Sequence, residues 1–407
     1  MPITVGIDWA QDHHDAALMD QKGAVVARVR IDTGPSGLVT LLGLIAQHGG
    51  SAEATPVAIE TDKNLLVVAL MDAGYTVYPI NPRAAARYRE RHSQSGRKSD
   101  AGDAAMLADI VRTDRHQHRP MPATTTQALA VKALARQHQE AIWALHDTIN
   151  RLRSVLMEFY PQALQAFPNL KHRAAHAILA AAPTPTDARK FSRRRVVTLL
   201  HKCGRRNDEA LVDQLLQALH SPGLAQPAPV EAALGVAVTQ LLAVISVMTD
   251  GVAALEKQLA LAYQAHPLAE VISATPGLGP VLAARVLGEI GDDPARFTTA
   301  ASLRCYAGTA PVTRASGKSC YVKARKVRNK RLADACHWWA FATLTKSAGA
   351  RAYYDHRRAV GDHHNAALRN VANKLLGKLW WCLQHHQKWD ETTAWPLPTT
   401  PPKSIAA

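Results

Sequence analysis

Asp8, Glu60, Asp100 and Asp103 are the residues of this chain whose types and spacing could do chemistry. Asp8 ends the apolar run Ile3-Thr4-Val5-Gly6-Ile7 and Glu60 ends Val57-Ala58-Ile59, so each is expected at the end of a buried strand. Asp100 and Asp103 stand three residues apart at the start of a helical stretch, which puts both on one face. Carboxylates at strand ends, facing a helix-borne pair, can hold divalent cations, and cations held by oxygen ligands serve phosphoryl transfer. Taken singly, each acid has a plainer use: a strand-end Asp is a turn residue, and Asp100 suits a helix N-cap. Asp62 lies two positions past Glu60, and strand alternation puts it on the same face as a reserve ligand.

The elements that must position these groups follow from the pattern of residues 1 to about 115. Strands are expected at Ile3–Asp8, Ala16–Met19 and Val25–Ile31, with the polar turn Gln11-Asp12-His13-His14 between the first two. A helix over Leu38–Ala46, the strand ending at Glu60, a helix over Asn64–Ala73 and a strand over Thr76–Ile80 come next. The order β-β-β-α-β-α-β-α implies a mixed sheet, an antiparallel meander followed by parallel crossovers. Arg83 to Arg97 is polar and basic, a loop or helix over the acidic face.

With 407 residues the chain can form two or three domains with real cores. A formal charge of +15 favours a polyanionic partner through release of counterions from phosphates. With Met-Pro-Ile-Thr running straight into a strand, neither a signal nor a transit peptide is expected, and no lipidation motif stands out. The apolar stretch from Leu234 to Met248 is interrupted by Gln240 and flanked by Glu231 and Asp250, so a buried helix is expected rather than a membrane span. Five cysteines with no CxxC spacing fit a reduced cytoplasmic protein without a zinc site or disulfides.

Residues 122 to 265 read as helices. Ile142, Leu145, Ile149, Leu152, Leu156 and Phe159 recur by three and four, as do Val238, Leu241, Ile245, Met248, Val252, Leu255 and Leu259. Such a/d seams suit a coiled coil between chains or two long helices packed within one. Between them, Arg193, Arg194 and Arg195 belong to a basic stretch that is either a solvated face or a phosphate-contacting one. The turn Thr275-Pro276-Gly277-Leu278-Gly279-Pro280 reads as the centre of a helix-hairpin-helix, in which Gly277 and Gly279 let backbone amides approach a phosphate. Arg314, Ser316, Lys318 and Ser319 lie in a basic loop, followed by Lys323, Arg325, Lys326, Arg328, Lys330 and Arg331, a density that suits a phosphate backbone.

Together these segments resemble the DEDD-type insertion-sequence transposases, whose relatives include the pilin-gene invertases and the bridge-RNA-guided recombinases. The resemblance rests on Gly6-Ile7-Asp8, Ile59-Glu60, Asn81-Pro82 and Lys98-Ser99-Asp100-Ala101-Gly102-Asp103-Ala104. In the second half it rests on Pro276-Gly277-Leu278-Gly279-Pro280, Arg296-Phe297, Tyr306-Ala307-Gly308-Thr309-Ala310-Pro311 and Ser316-Gly317-Lys318. It covers about 1–115 and 270–350. Ser99 stands where Thr is usual, and Thr61-Asp62-Lys63 replaces a small-residue run.

The resemblance, added to the residue patterns above, gives an expected α/β plus all-α chain in four parts. These are a RuvC-like domain of RNase H fold at 1–121, a helical coiled-coil region at 122–267, a mostly helical transposase domain at 268–384 with a helix-hairpin-helix-like segment, and a Pro-rich, disordered tail at 385–407. It implies that Asp8, Glu60, Asp100 and Asp103 bind metal (Mg2+, with Mn2+ an alternative) and that Ser316 is the nucleophile, Ser319 being its close neighbour. The expected activity is metal-dependent DNA strand exchange through a 5′-phosphoserine, by a cytoplasmic, nucleoid-associated dimer or tetramer joined through the helical region. Donor and target DNA, a noncoding bridge RNA and no membrane complete the expected partners. The alternatives are a hydrolytic RuvC-like structure-specific nuclease and a catalytically inactive nucleic-acid-binding regulator.

Overall fold

The computed structural model describes residues 2–92, 99–205 and 208–396, which fall into two compact units, 1–123 and 124–407. Unit 1 is built on a five-stranded sheet of β1 (Thr4–Trp9), β2 (His13–Met19), β3 (Val25–Asp32), β4 (Val57–Ile59) and β5 (Val77–Pro79), in the order β3-β2-β1-β4-β5. The first three strands pair antiparallel, and β4 and β5 join β1 in parallel, as the sequence implies. α1 (Pro35–Gln47), α2 (Leu65–Asp72), α3 (Pro82–His92) and α4 (Asp100–Thr113) complete the unit.

Alternation along β1 divides its residues between two layers. Ile3, Val5 and Ile7 face a core with Leu41 and Ile45 of α1 and Val67 and Leu70 of α2. The opposite face carries Thr4, Gly6 and Asp8 and is covered by α4, whose Leu107, Ile110 and Val111 pack with Ala58, Ile80 and Ala85. Thr4 Oγ1 donates to the Ala108 carbonyl at 3.0 Å, and a Cβ on Gly6 would lie 2.0 Å from the Ala104 carbonyl oxygen. Only glycine admits the helix this closely. Thr4 lying under Ala108 and Gly6 under Ala104 shows that α4 runs back along β1, bringing its first turn to the strand end at Asp8.

Unit 2 opens with the long helix α5 (Thr126–Phe159), followed by α6 (Pro161–Ala166), α7 (Arg173–Ala181), α8 (Pro185–Ala188), α9 (Arg193–Lys202), α10 (Glu209–Leu219) and a second long helix, α11 (Ala228–Gln264). α12 (Ala269–Ser273), α13 (Pro280–Ile290), α14 (Ala300–Ala307), the hairpin β6 (Val312–Ser316) and β7 (Ser319–Lys323), α15 (Lys330–Thr343), α16 (Ala348–Ala359), α17 (His364–His385) and α18 (Glu391–Ala394) follow. α5 and α11 pack on each other. Ile149, Leu152, Leu156 and Phe159 share a core with Val238, Leu242 and Ile245 and with α6–α10. Val131 and Ala135 share a second core with Leu259, Tyr263 and residues of α12–α17. The ends of both heptad seams are therefore occupied within the chain, while Ile142, Met248, Val252 and Leu255 between them are half-buried and belong to neither core.

Several sequence expectations need correction. α11 is not buried throughout: it packs by one face, while Val236, Val244 and Val247 on another are exposed. By length and composition it is the one described helix apolar enough to cross a membrane. The basic loop after Pro311 is the hairpin β6–β7, unrecognised because nearly all its residues are exposed and no apolar face marks its alternation. Residues 385–396, expected in a disordered tail, include α18, and Trp389 and Trp395 pack against the core. Two partly buried indole rings supply apolar contact that the Pro-rich composition hides. Residues 397–407 lie outside the described residues, as does 93–98 of the basic segment before Ser99.

Candidate functional site

Asp8 is the penultimate residue of β1, and the register Ile7↔Ile59 puts Glu60 beside it, one step past the end of the parallel neighbour β4. Glu60 shares the parity of Ala58, so both carboxylates belong to the α4 side of the sheet. β4 stops at Ile59, so alternation does not extend to Asp62, which is exposed in the following turn and is not a second strand ligand. On α4, Ser99 rather than Asp100 is the N-cap, its hydroxyl accepting from the Gly102 amide at 3.2 Å. That frees the Asp100 side chain, which is exposed in the first turn, while Asp103 one turn on is buried. Both carboxylates gain from the positive end of the helix.

The sequence reading missed four residues beside these acids. β2 begins at His13 rather than Ala16, and its register sets Asp15 directly opposite Asp8. Asp15 is buried and bound by two guanidinium nitrogens of Arg30, Nε at 3.2 Å and Nη2 at 2.9 Å. Hydrogen bonding to Asp15, and then its charge, holds the Arg30 pKa above its ordinary value. Arg30 Nη2 also stands 3.9 Å from Asp100, and Arg89 of α3 binds Asp103 at 2.7 Å. Among the described residues, His13, Asp15 and Asp100 form a group whose ligand atoms all lie within 4.8 Å of one another. His13 Nε2 is buried, has no hydrogen-bond partner and lies 3.7 Å from Asp15 Oδ2. Asp8, Glu60 and Asp103 are outside that tight group; Asp8 and Glu60 engage other partners and Asp103 is taken by Arg89. The parity of His13 and Asp15 with Asp8 was the available signal, hidden because Gln11-Asp12-His13-His14 reads as a turn.

Unit 2 carries the remaining candidates. Ser316 and Ser319 are register partners at the closed end of the hairpin, joined by Gly317, at φ +55°, and Lys318. Arg314, Ser316, Lys318, Ser319 and Lys323 are all exposed, and Lys323 Nζ lies 4.7 Å from the centre of the Tyr321 ring. Beyond β7, Lys326, Arg328 and Lys330 are exposed and Arg325 is half-buried. Arg331 is engaged: it pairs with Glu140 and lies 5.1 Å from the centre of the Trp143 ring.

The basic segment ends on a fixed point. Asn329 caps α15 through its side-chain oxygen (2.9 Å to Leu332 N) and donates from Nδ2 to buried Glu289 at 2.7 Å. Arg136 grips Glu289 through Nε at 2.7 Å and Nη2 at 2.9 Å. Burial pushes the Glu289 pKa up, but Arg136 and Asn329 outweigh it and hold the group below its ordinary value.

In the helix-hairpin-helix-like turn, the two glycines differ. Gly277, at φ +82°, is pressed against Thr343, and the Pro276 carbonyl accepts from Trp339 Nε1 at 3.0 Å. Gly279 is exposed, with no heavy atom within 4 Å of where a Cβ would sit. On α9, Arg193 is tied to Asp213 and Glu209, whereas Arg194 and Arg195 are exposed.

Two family models match the chain: a DEDD transposase model of the IS110 kind over residues 5–161, and one described as "Transposase IS116/IS110/IS902 family" over residues 269–355. The chain is 44% identical over 400 residues, 97% of both chains, to the "Mini-circle putative transposase for IS117" of Streptomyces coelicolor. It is 28% identical to an uncharacterized 42 kDa protein of insertion element IS900 from Mycobacterium paratuberculosis, over 96% of this chain and 98% of that one. The first model spans all four sequence-nominated carboxylates and the second spans Ser316.

Proposed function

The chain belongs to the IS110/IS116 family of insertion-sequence transposases, and on that premise we propose that it exchanges DNA strands through a phosphoserine at Ser316. The observation that carries the reading is the placing of acids at the ends of two central strands and in the first turn of the helix over them. Asp8 and Glu60 end neighbouring parallel strands on the face that α4 covers, and Asp100 and Asp103 open that helix. In our reading, unit 1 has an RNase H-like, RuvC-type fold, with which the strand order β3-β2-β1-β4-β5 agrees.

A divalent cation suits the donor chemistry of the group formed by His13, Asp15 and Asp100, whose donors are carboxylate oxygens and His13 Nε2, a buried ring nitrogen without a partner. Asp8, Glu60, Asp100 and Asp103 would hold it, with Asp15 and His13 beside Asp100. When bound, Mg2+ or Mn2+ would supply Lewis-acid stabilisation of charge on the scissile phosphate. Arg30 and Arg89 fix Asp15 and Asp103 in direction. At the tip of the hairpin, Ser316 Oγ attacks the phosphorus while Arg314 and Lys318 draw in the backbone. An Oγ–P bond forms, the P–O3′ bond breaks and the serine proton ends on the 3′-oxygen. The number of phosphodiester bonds is conserved, so the free 3′-hydroxyl of a second strand can reverse the step without ATP.

We assign sequence recognition to a noncoding bridge RNA, because the basic residues present phosphate-binding chemistry rather than a base-reading helix. We assign self-association, as a dimer or tetramer, to the helical arm, whose α11 exposes Val236, Val244 and Val247.

A denaturing gel tests the reading, using the full chain with Mg2+, DNA spanning the element's ends and RNA from its flanking sequence. A covalent protein–DNA adduct is expected from wild type and Ser319→Ala and is lost in Ser316→Ala. Cleaved DNA without adduct, unchanged in Ser316→Ala, would replace this proposal with a hydrolytic nuclease. An adduct that persists in Ser316→Ala and vanishes in Ser319→Ala would move the nucleophile to Ser319.

A further inference from the structure

We propose that unit 2 contains a binding pocket for a single unpaired nucleotide, with Trp143 stacking on the base and Arg369 engaging the phosphate. The inference rests on the nucleic-acid reading above and adds a site to it. A cavity of about 550 Å3 opens between α5, the end of α14, the segment after β7, α15 and α17. Lys326, Arg328, Lys330 and Arg369 line it, and among the described residues none of the four forms an ion pair with a carboxylate. The acid on the wall, Asp334, is already used. It accepts from Gln139 Nε2 at 2.8 Å and stands 3.8 Å from Arg285 Nη1. Four cations in a concave, partly apolar site focus a positive potential that an anion would answer.

The shape and one aromatic ring narrow the ligand. A cavity of this size takes a small-molecule-sized group. A duplex carries its phosphates on a convex surface and its bases stacked inside, so neither reaches the bottom of such a site. A nucleotide without a pairing partner can enter with both parts, and aromatic stacking plus cationic contacts is how unpaired strands are held. Trp143 supplies the ring. Arg331 lies against it, pinned by Glu140, and 36% of the tryptophan remains accessible. The wall at Lys330 is fixed as well, because Asn329, just before it, is locked onto Glu289 and Tyr306. Arg328 lies across Gly308, which at φ +73° leaves room for its side chain. The pocket is therefore built before any ligand arrives, which lowers the cost of binding.

The test uses the full chain and fluorescence anisotropy with labelled probes: a fully paired duplex, the same duplex with one bulged nucleotide, and single strands of DNA and RNA. Wild type is expected to prefer the bulged and single-stranded probes. Trp143→Ala and Arg369→Gln should each weaken those probes roughly ten-fold while leaving the paired duplex within about two-fold, and Trp143→Phe should retain most of the preference. Arg369→Gln is the second arm, since Trp143→Ala also removes the support of Arg331. Whether the DNA or the RNA strand loses more identifies which strand supplies the nucleotide. Equal wild-type affinity for paired and bulged probes, or variants that weaken every probe alike, overturns the pocket and leaves the transposase reading standing. Absence of binding to all probes overturns both.

Discussion

The close seating of α4 on β1 makes Gly6→Ala the sharpest test of how the acids at the strand ends are positioned. An alanine Cβ would lie 2.0 Å from the Ala104 carbonyl oxygen and 2.3 Å from the Ala108 amide nitrogen. Ordinary contact begins at 3.4 Å, so α4 must withdraw by roughly 1.4 Å along that line. Both obstructing atoms are helix backbone and have no rotamer by which to escape. Overpacking of this kind costs about 1–3 kcal/mol, and a rigid obstacle puts the cost near 3. For a unit of this size, with about 4 °C per kcal/mol, its Tm should fall by roughly 12 °C. The helix carries Asp100 and Asp103, so a displacement beyond an ångström should also reduce DNA cleavage on the order of a hundred-fold. Gly43→Ala in α1 is the matched control: nothing lies within 4 Å of its Cβ, and it should stabilise by about 0.5–1 kcal/mol. Calorimetry of the full chain, with hydrogen exchange followed in the peptides covering 4–9 and 100–113, reads both effects. If the two substitutions give the same Tm and the same exchange, the close packing of α4 on β1 is wrong and the acids are not positioned as argued.

Two further substitutions test unit 2. Arg136→Met should destabilise the chain by about 3 kcal/mol at neutral pH, because it strands the buried Glu289 carboxylate. The Glu289 pKa is depressed in the folded wild type, so its contribution is present above the unfolded carboxylate range and is lost as pH falls through the folded value. Without Arg136, burial raises that pKa, and protonation relieves the penalty. The gap between wild type and variant should thus narrow toward acid in denaturant titrations; a gap independent of pH would contradict the pairing. Gly277→Ala, strained at φ +82° and driven into Thr343, should lower Tm by several degrees, whereas Gly279→Ala should leave Tm unchanged and weaken duplex binding. Equal Tm losses at both glycines would remove the distinction between a packing glycine and a phosphate-facing one.

The sheet of unit 1 was legible because each strand is a short apolar run with turn residues at its ends, and Asp8 and Glu60 mark where two of them stop. His13 and Asp15 were not legible as strand residues. Two imidazoles and an Asp after Gln11-Asp12 look like a turn, and only cross-strand pairing, of His14 with Trp9, Asp15 with Asp8 and His13 with Asp32, makes them β2. Asp100 and Ser99 both suit an N-cap, and choosing between them needs the hydroxyl–amide geometry that local propensity does not contain. The β6–β7 hairpin has no buried face, so period-two patterning had nothing to register. In the helical arm the seams were visible, but a seam does not state whether its partner helix is in the same chain; the shared cores answer that for α5 and α11.

The paired helices α5 and α11 also act as a ruler. They hold two cores apart: Val131 belongs to one and Leu156, 25 residues later on the same helix, to the other. At the rise of an α-helix this is about 37 Å. A double helix laid beside the arm would cover roughly eleven base pairs over that length, close to one full turn. The serine-bearing hairpin extends from the first core and the Arg194–Arg195 face from the second. Were both patches to contact one duplex laid along the arm, the length of the arm would set a phase as well as a distance. Lengthening both helices in step would rotate the second point of contact around the duplex rather than merely moving it along, turning a change in helix length into a change in which phosphates are touched.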